Sequence, residues 1–384
     1  MSGITQDLLN GNVGNQPLTA YPWKNYADSL INWALEREET HRGFAFDILM
    51  SLAYIDSISD LARHLVYYPS FKSPYKLHLG FINLCTPLYI QQNIWCYQKA
   101  AKPRSGMIGK LSSEVMIRFI EILFPNLRKV RILGGTGAAD ALLIHEDGRV
   151  ILCEVKASPL TTYSLLFSLP SLGKIDALEQ LTRTQIEQLN TALYLYDDTL
   201  IPLGKIQEKL WPFARAISFI TNPKHNKTVE RYVKIWQDIR CAYRDKNRES
   251  KYYYVANASG HPPKLAREQF DWPAKESISD SKTSVGMDRT DDIKKGIYQT
   301  LKLGIEAKRN FRQYTIKTAL VSNLPAYRHS QVYVEPFTDI LWGLESAFSY
   351  EPDSKEYRCF EVSLTHPFDY ILTLEDSINR GEPL

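Results

Sequence analysis

Two charged side chains interrupt a stretch that otherwise reads as a buried strand. In "GRVILCEVKAS", Val150, Ile151, Leu152, Cys153 and Val155 are apolar, while Glu154 and Lys156 stand two residues apart among them. A buried charge is costly unless it has a partner or a task. Residues two apart on a strand share a face, so Leu152, Glu154 and Lys156 line one side and Ile151, Cys153 and Val155 the other. The apolar side belongs to the core, which leaves Glu154 and Lys156 together on a rim.

The preceding strand, "ADALLI", supplies a third group. With "EDG" (146–148) as a three-residue hairpin loop and Gly148 in the left-handed position, His145 faces Arg149 and Asp140 comes opposite Glu154. A two-residue loop shifts the register by one and turns Asp140 to the other face. In the first register two carboxylates repel unless a cation lies between them. Hard oxygen ligands suit Mg²⁺, with Mn²⁺ as the alternative, and Mg²⁺ keeps waters that a phosphate can displace. Such an ion lowers the pKa of a bound water and neutralises charge building on a phosphoryl group. Lys156 can orient or deprotonate that water, or hold the phosphate. The expected chemistry is phosphodiester hydrolysis. The bare acid-x-Lys pattern is weak, since it recurs at Glu249, Asp280, Asp292, Glu306 and Asp353. Only the Glu154 copy lies inside an apolar strand with a matched Asp upstream. The bland alternative is a surface ion pair on an edge strand, worth about 0–1 kcal/mol, with Asp140 a turn residue.

The elements that must position these groups follow from periodicity. "GKLSSEVMIRFIEILFPNL" (109–127) reads as an amphipathic helix ended near Pro125, and "KVRILGG" as a strand before the hairpin. Further on, 175–196 reads as a helix, "ARAISFITN" (214–222) as a strand, "KYYYVANA" as a strand, 276–292 as a polar loop, 291–311 as a helix and "TIKTALVSNL" as a strand. Upstream, residues 23–102 read as helical, including the whole of "FDILMSLAYIDSISDLARHLVYY", and "KAAKPRSG" as a linker. "GGTG" (134–137) lacks the ending of a phosphate-binding loop and precedes no helix; it reads as a tight connection or a flexible approach to Asp140.

Helix 109–125, three strands, the Asp/Glu/Lys set, then helix and strand resemble the PD-(D/E)XK nuclease superfamily, and type II restriction endonucleases in particular. The resemblance implies an α/β fold: a restriction-endonuclease-like αβββαβ core, a mixed sheet flanked by helices, with an α-helical N-terminal module and a C-terminal extension or insertion. It places the family's Asp on Asp140 and its E-x-K on Glu154 and Lys156; the Pro that usually precedes the Asp is Ala139 here. Glu114 falls where many members carry a further metal-binding acid, although a solvated helical Glu is the plain alternative. A polar residue on the core's second helix is implied too. Helix 175–196 offers Gln185 and Gln188, and helix 291–309 offers Gln299, followed by Lys302. Choosing Gln299 makes residues about 160–285 an insertion. The chain then divides into 1–105, an α-helical module for DNA recognition; 106–325, the nuclease core with its basic insertion; and 326–384, a C-terminal extension.

What the resemblance implies is a Mg²⁺-dependent endonuclease cutting duplex DNA, with Asp140, Glu154 and Glu114 as metal ligands and a homodimer to cut both strands of a palindromic site. The alternatives are a repair, recombination or phage-defence nuclease on branched, single-stranded or RNA substrate, and a catalytically inactive DNA-binding protein. Composition is consistent with these and chooses none. The chain of 384 residues is 44% apolar and 23% charged with net charge +3, so any polyanion surface must be local. Residues 224–251 carry nine Lys or Arg against four acids, ahead of Tyr252, Tyr253 and Tyr254, a combination that suits phosphates and base stacking. Five scattered cysteines without a C-x-x-C pair suggest reduced thiols in the cytoplasm. The first residues are not read as a secretion signal, and no apolar run reaches the length of a membrane span.

Overall fold

The structure is a computed structural model that describes residues 13–58, 65–69, 74–78, 80–100, 105–134, 139–168, 182–196, 200–279, 285–337, 340–366, 368–380 and 383–384. The chain forms two compact units from interleaved segments. The first combines Met1–Pro17, Met116–Ala157 and Gly286–Leu384; the second combines Leu18–Val115 and Ser158–Val285.

In the first unit, a helix α1 (Ser105–Leu123, which begins in the second unit) leads into strands β1 (Leu127–Ile132), β2 (Ala141–His145) and β3 (Val150–Val155). After the inserted segment come helix α2 (Thr290–Asn310) and strand β4 (Ile316–Val321). A long hairpin, β5 (Trp342–Glu351) and β6 (Glu356–Thr365), forms a separate two-stranded sheet, and β7 (Tyr370–Leu372) and β8 (Ile378–Asn379) close the chain. The main sheet is mixed and flanked by helices, with strand order β8-β7-β4-β3-β2-β1. β1, β2 and β3 are antiparallel neighbours, and β4 runs parallel to β3 and β7.

β3 is therefore a central strand, and all six of its residues are buried. That corrects the expectation of a strand with one open rim: α2 covers the face that carries Val150, Leu152 and Glu154. Its buried residues Ile293, Gly296, Ile297, Thr300, Leu303 and Ala307 recur at three- and four-residue steps. Leu303 and Ala307 pack on Leu142, Val150, Leu152 and Ile316. Gly296 permits the approach, since a Cβ there would lie 2.8 Å from Leu320 Cδ1. The acids Asp291 and Asp292 open the helix, and Lys308 and Arg309 end it, as the helix dipole favours.

The hairpin between β2 and β3 has the expected register. Gly148 takes φ +91°, its N–H donates to the His145 carbonyl (3.0 Å), and the His145 N–H donates to the Arg149 carbonyl (3.0 Å). Asp147 secures the turn by accepting from the Arg149 backbone N–H (2.9 Å) and Nε (2.6 Å).

The second unit holds a five-stranded sheet ordered Leu65–Pro69, Pro74–His78, Ser164–Ser168, Asn190–Tyr194, Leu200–Lys205. Strand Pro74–His78 pairs with Ser164–Ser168, so the N-terminal segment and the insertion fold together rather than as separate modules. Several sequence expectations change here. The N-terminal segment is not helical throughout: helix Glu39–Asp56 ends at Asp56, and "LVYYP" is a strand, as its β-branched and aromatic residues favour. Within 175–196, the described part is a five-residue helix, Arg183–Glu187, and then strand Asn190–Tyr194; residues 175–181 lie outside the described residues. "ARAISFIT" belongs to helix Phe213–Thr221, whose buried side, Phe213, Ala216, Ile217 and Ile220, has helical spacing. "KYYYV" is a 3₁₀ turn in which Tyr253 and Tyr254 are buried, which removes these two rings as a stacking platform. The polar stretch 276–292 includes a 3₁₀ turn at Gly286–Asp288 and the start of α2.

Candidate active site

The β2–β3 register pairs Ala141 with Cys153, which brings Asp140, one residue before the start of β2, level with Glu154. Three backbone-linked bonds fix Asp140. Its N–H donates to the Cys153 carbonyl (2.9 Å), its carbonyl accepts from Leu133 N–H (2.9 Å), and its Oδ2 accepts from Val155 N–H (2.8 Å). Glu154 is 8% exposed, and its Oε1 accepts from Lys156 Nζ at 2.5 Å. Asp140, Glu154 and Lys156 thus form one cluster at the end of the central strand.

The electrostatics follow from this packing. Burial raises the Glu154 carboxyl above its ordinary pKa, the neighbouring Asp140 charge raises it further, and the Lys156 hydrogen bond and charge pull it down. Burial, with Asp140 adding to it, also pushes the Cys153 thiol upward, so Cys153 is an inert packing residue on the opposite face. Lys156 follows the last residue of β3, and its backbone N–H donates to the Val321 carbonyl of β4 (2.7 Å). Two glycines hold it closely. A Cβ on Gly286, where φ is +54°, would lie 3.2 Å from the Lys156 carbonyl oxygen, and one on Gly296 would lie 3.4 Å from Lys156 Cγ. The buried polar residues Ser322 and Asn323 stand beside Gly286. Sequence reading missed all four. For Gly296 the signal was available, because a lone glycine inside a helical pattern marks a close approach.

Two further expected site residues are Glu114 and Gln299. Glu114 belongs to the second unit. Burial raises its pKa, opposed by Lys110 and by the Leu18 backbone N–H, and Lys110 Nζ stands 3.8 Å from its Oε1. Gln299 is exposed on α2, beside the buried stripe rather than in it. The inner residue next to it, Thr300, donates its hydroxyl to the Gly296 carbonyl (2.8 Å). Residues 135–138, which contain most of "GGTG", lie outside the described residues.

Among the described residues, no group of three or more His, Cys, Asp or Glu side chains gathers as a metal cage. The pair Asp140 and Glu154 is a two-carboxylate donor set, the number with which Mg²⁺ is commonly held while it keeps several waters. Each has an oxygen, Asp140 Oδ1 and Glu154 Oε2, to which no hydrogen bond is recorded among the described residues. The donor chemistry fits a divalent hard cation.

Among the described residues, no helix is long and apolar enough to cross a membrane. No family model, no curated protein and no solved structure matches the chain.

Proposed function

We propose that this protein is a Mg²⁺-dependent DNA endonuclease of the PD-(D/E)XK type, built on a restriction-endonuclease-like core. One observation carries the reading. A hairpin register sets Asp140 level with Glu154, and Lys156 is bonded to Glu154, at the end of a central strand. The surrounding order of helix, three antiparallel strands, helix and parallel strand supports it.

Asp140 and Glu154 are the residues that would hold Mg²⁺, and the chemistry it would supply there is a water of lowered pKa and neutralisation of charge on the scissile phosphate. The chain does the rest. The Val155 N–H fixes the Asp140 carboxylate, so that one oxygen is directed and the other remains for the ion. Lys156 compensates the Glu154 charge before the ion arrives. The same ammonium is the group that would orient the attacking water or hold a phosphate oxygen. The packing of Gly296 against the Lys156 stem limits where that ammonium can reach. The proposed substrate is duplex DNA cut at a specific sequence by a homodimer; branched, single-stranded or RNA substrates are the alternative within the same chemistry.

The test is plasmid cleavage with Mg²⁺ and with EDTA. Wild type is expected to cut only with the metal, giving discrete fragments for a sequence-specific enzyme and a smear for the alternative. Asp140→Ala and Lys156→Ala, made separately, are each expected to abolish cutting while duplex binding, read by fluorescence anisotropy, persists. Unchanged cutting in either variant overturns the mechanism, and binding without cutting in wild type would identify a catalytically inactive DNA-binding protein.

A further inference from the structure

Helix α2 has a second side that the catalytic reading leaves unused. Its inner stripe, Gly296, Thr300, Leu303 and Ala307, packs on the sheet. At about 100° per residue, the opposite side is centred on Tyr298, with Lys294, Lys302 and Ile305 beside it and Lys295 at its flank. Tyr298 is 62% exposed, and Lys294, Lys295, Lys302 and Arg309 are all exposed. Against these four cations the outer side carries two acids, Asp291 and Glu306, while Asp292 lies 3.7 Å from Arg289. Lys294 Nζ stands 5.3 Å from the centre of the Tyr333 ring, and the adjacent Val332 is 62% exposed. Exposed aromatic and aliphatic side chains therefore stand among cations on one continuous surface. That surface begins at the catalytic end of the sheet, because Gly296 is the α2 residue that packs against Lys156.

We infer that this outer side of α2, extended by Val332 and Tyr333, carries the phosphodiester backbone of duplex DNA past the Asp140–Glu154–Lys156 cluster; the inference rests on the nuclease reading above. Charge selects this occupant. A polyanion neutralises the lysines and releases its counterions on binding, and an exposed ring among cations can lie against sugar or base. A second copy of the chain, docked by a two-fold on the same side, would set the four cations against their own duplicates.

The test is fluorescence anisotropy with a labelled duplex in EDTA, so that nothing is cut, over a series of salt concentrations. Lys294→Ala/Lys295→Ala is expected to weaken binding at least tenfold at low salt and to reduce the slope of log K against log[salt] by about 1.8, at about 0.9 per lost phosphate contact. Tyr298→Ala is expected to weaken binding further, and Lys294→Arg/Lys295→Arg to restore wild-type affinity. All of these side chains are exposed, so thermal melting should match wild type. Unchanged affinity and slope in the alanine variant overturn the inference even if wild type cuts DNA. A wild type that binds with this lysine dependence but never cuts keeps the surface and removes the nuclease reading. Light scattering covers the other occupant: if the alanine variant changes oligomeric mass and binds DNA as before, the side is a contact between copies and the inference fails.

Discussion

Glu154 is subject to opposed influences that substitution can separate. Burial and Asp140 raise its carboxyl pKa, and Lys156 lowers it. Lys156→Met is therefore expected to raise the Glu154 pKa further, and Asp140→Asn to lower it, both read by carbon-13 NMR of labelled glutamate carboxyls. An Asp140→Asn variant whose Glu154 titration stays in place would mean that the two carboxylates are not neighbours. The same raised pKa predicts a pH dependence. On the proposed mechanism a metal would compete with a proton on Glu154, so the proposed Mg²⁺-dependent activity is expected to fall on the acid side at a higher pH than an ordinary glutamate would give. This residue-scale behaviour was only half legible in the sequence. The presence of Asp140, Glu154 and Lys156 and their shared level follow from the turn residues and the two-residue side-chain period. The depth at which Glu154 is buried does not, because it depends on α2 crossing the same face.

Two glycines act on the elements for different reasons. Gly148 has open space around it but φ +91°, so Gly148→Ala is expected to cost about 1–2 kcal/mol through the left-handed backbone alone. Gly296 lies in an ordinary helix with no room for a methyl group beside Leu320, so Gly296→Ala is expected to cost about 1–3 kcal/mol through overpacking. Urea unfolding measures both. The second variant should also lose Mg²⁺-dependent cutting beyond what its stability explains, because α2 packs against Lys156; equal loss in Gly148→Ala would argue against that special role. α2 itself was visible in the sequence from sustained three- and four-residue spacing. Helix Phe213–Thr221 was not, because a nine-residue apolar stretch fits strand and helix about equally until its partners are known.

At the scale of the molecule, a buried carboxylate ties the second unit together across the sequence. Asp47, on helix Glu39–Asp56, accepts from Trp236 Nε1 (2.7 Å) and from the backbone N–H groups of Leu160 and Thr161 (3.0 Å each). One side chain from the N-terminal segment thus satisfies donors from two places in the insertion. Burial pushes its pKa up to about 7, against the pull of its three donors. Tyr163 and Tyr196, whose own pKa values the Asp47 charge helps to raise, face it. A native pKa above the unfolded value of about 3.9 means that the folded state keeps a proton the unfolded state has lost. This group's contribution to stability is therefore full below about pH 4, falls as pH rises to about 7, and levels off above that. Urea midpoints across pH 4–8 should show this decline, and Asp47→Asn should remove it. The variant should also be destabilised by about 2 kcal/mol or more, since its amide nitrogen cannot accept and leaves unserved the donors of one carboxylate oxygen. A wild-type curve with no such decline, or one that Asp47→Asn leaves unchanged, would refute the assignment.

The sequence by itself determined the β2–β3 hairpin, its register, the level placement of Asp140 with Glu154, and helix α2. Each depends on residues within a few positions of one another: a turn glycine, an alternation of two, a period near 3.6. Tertiary structure alone decided that β3 is covered on both faces, that Gly286 and Gly296 enclose Lys156, and that Pro74–His78 pairs with Ser164–Ser168. Those outcomes depend on which distant surfaces meet. Backbone hydrogen bonds between strands are nearly indifferent to side-chain identity, so no local pattern names the partner.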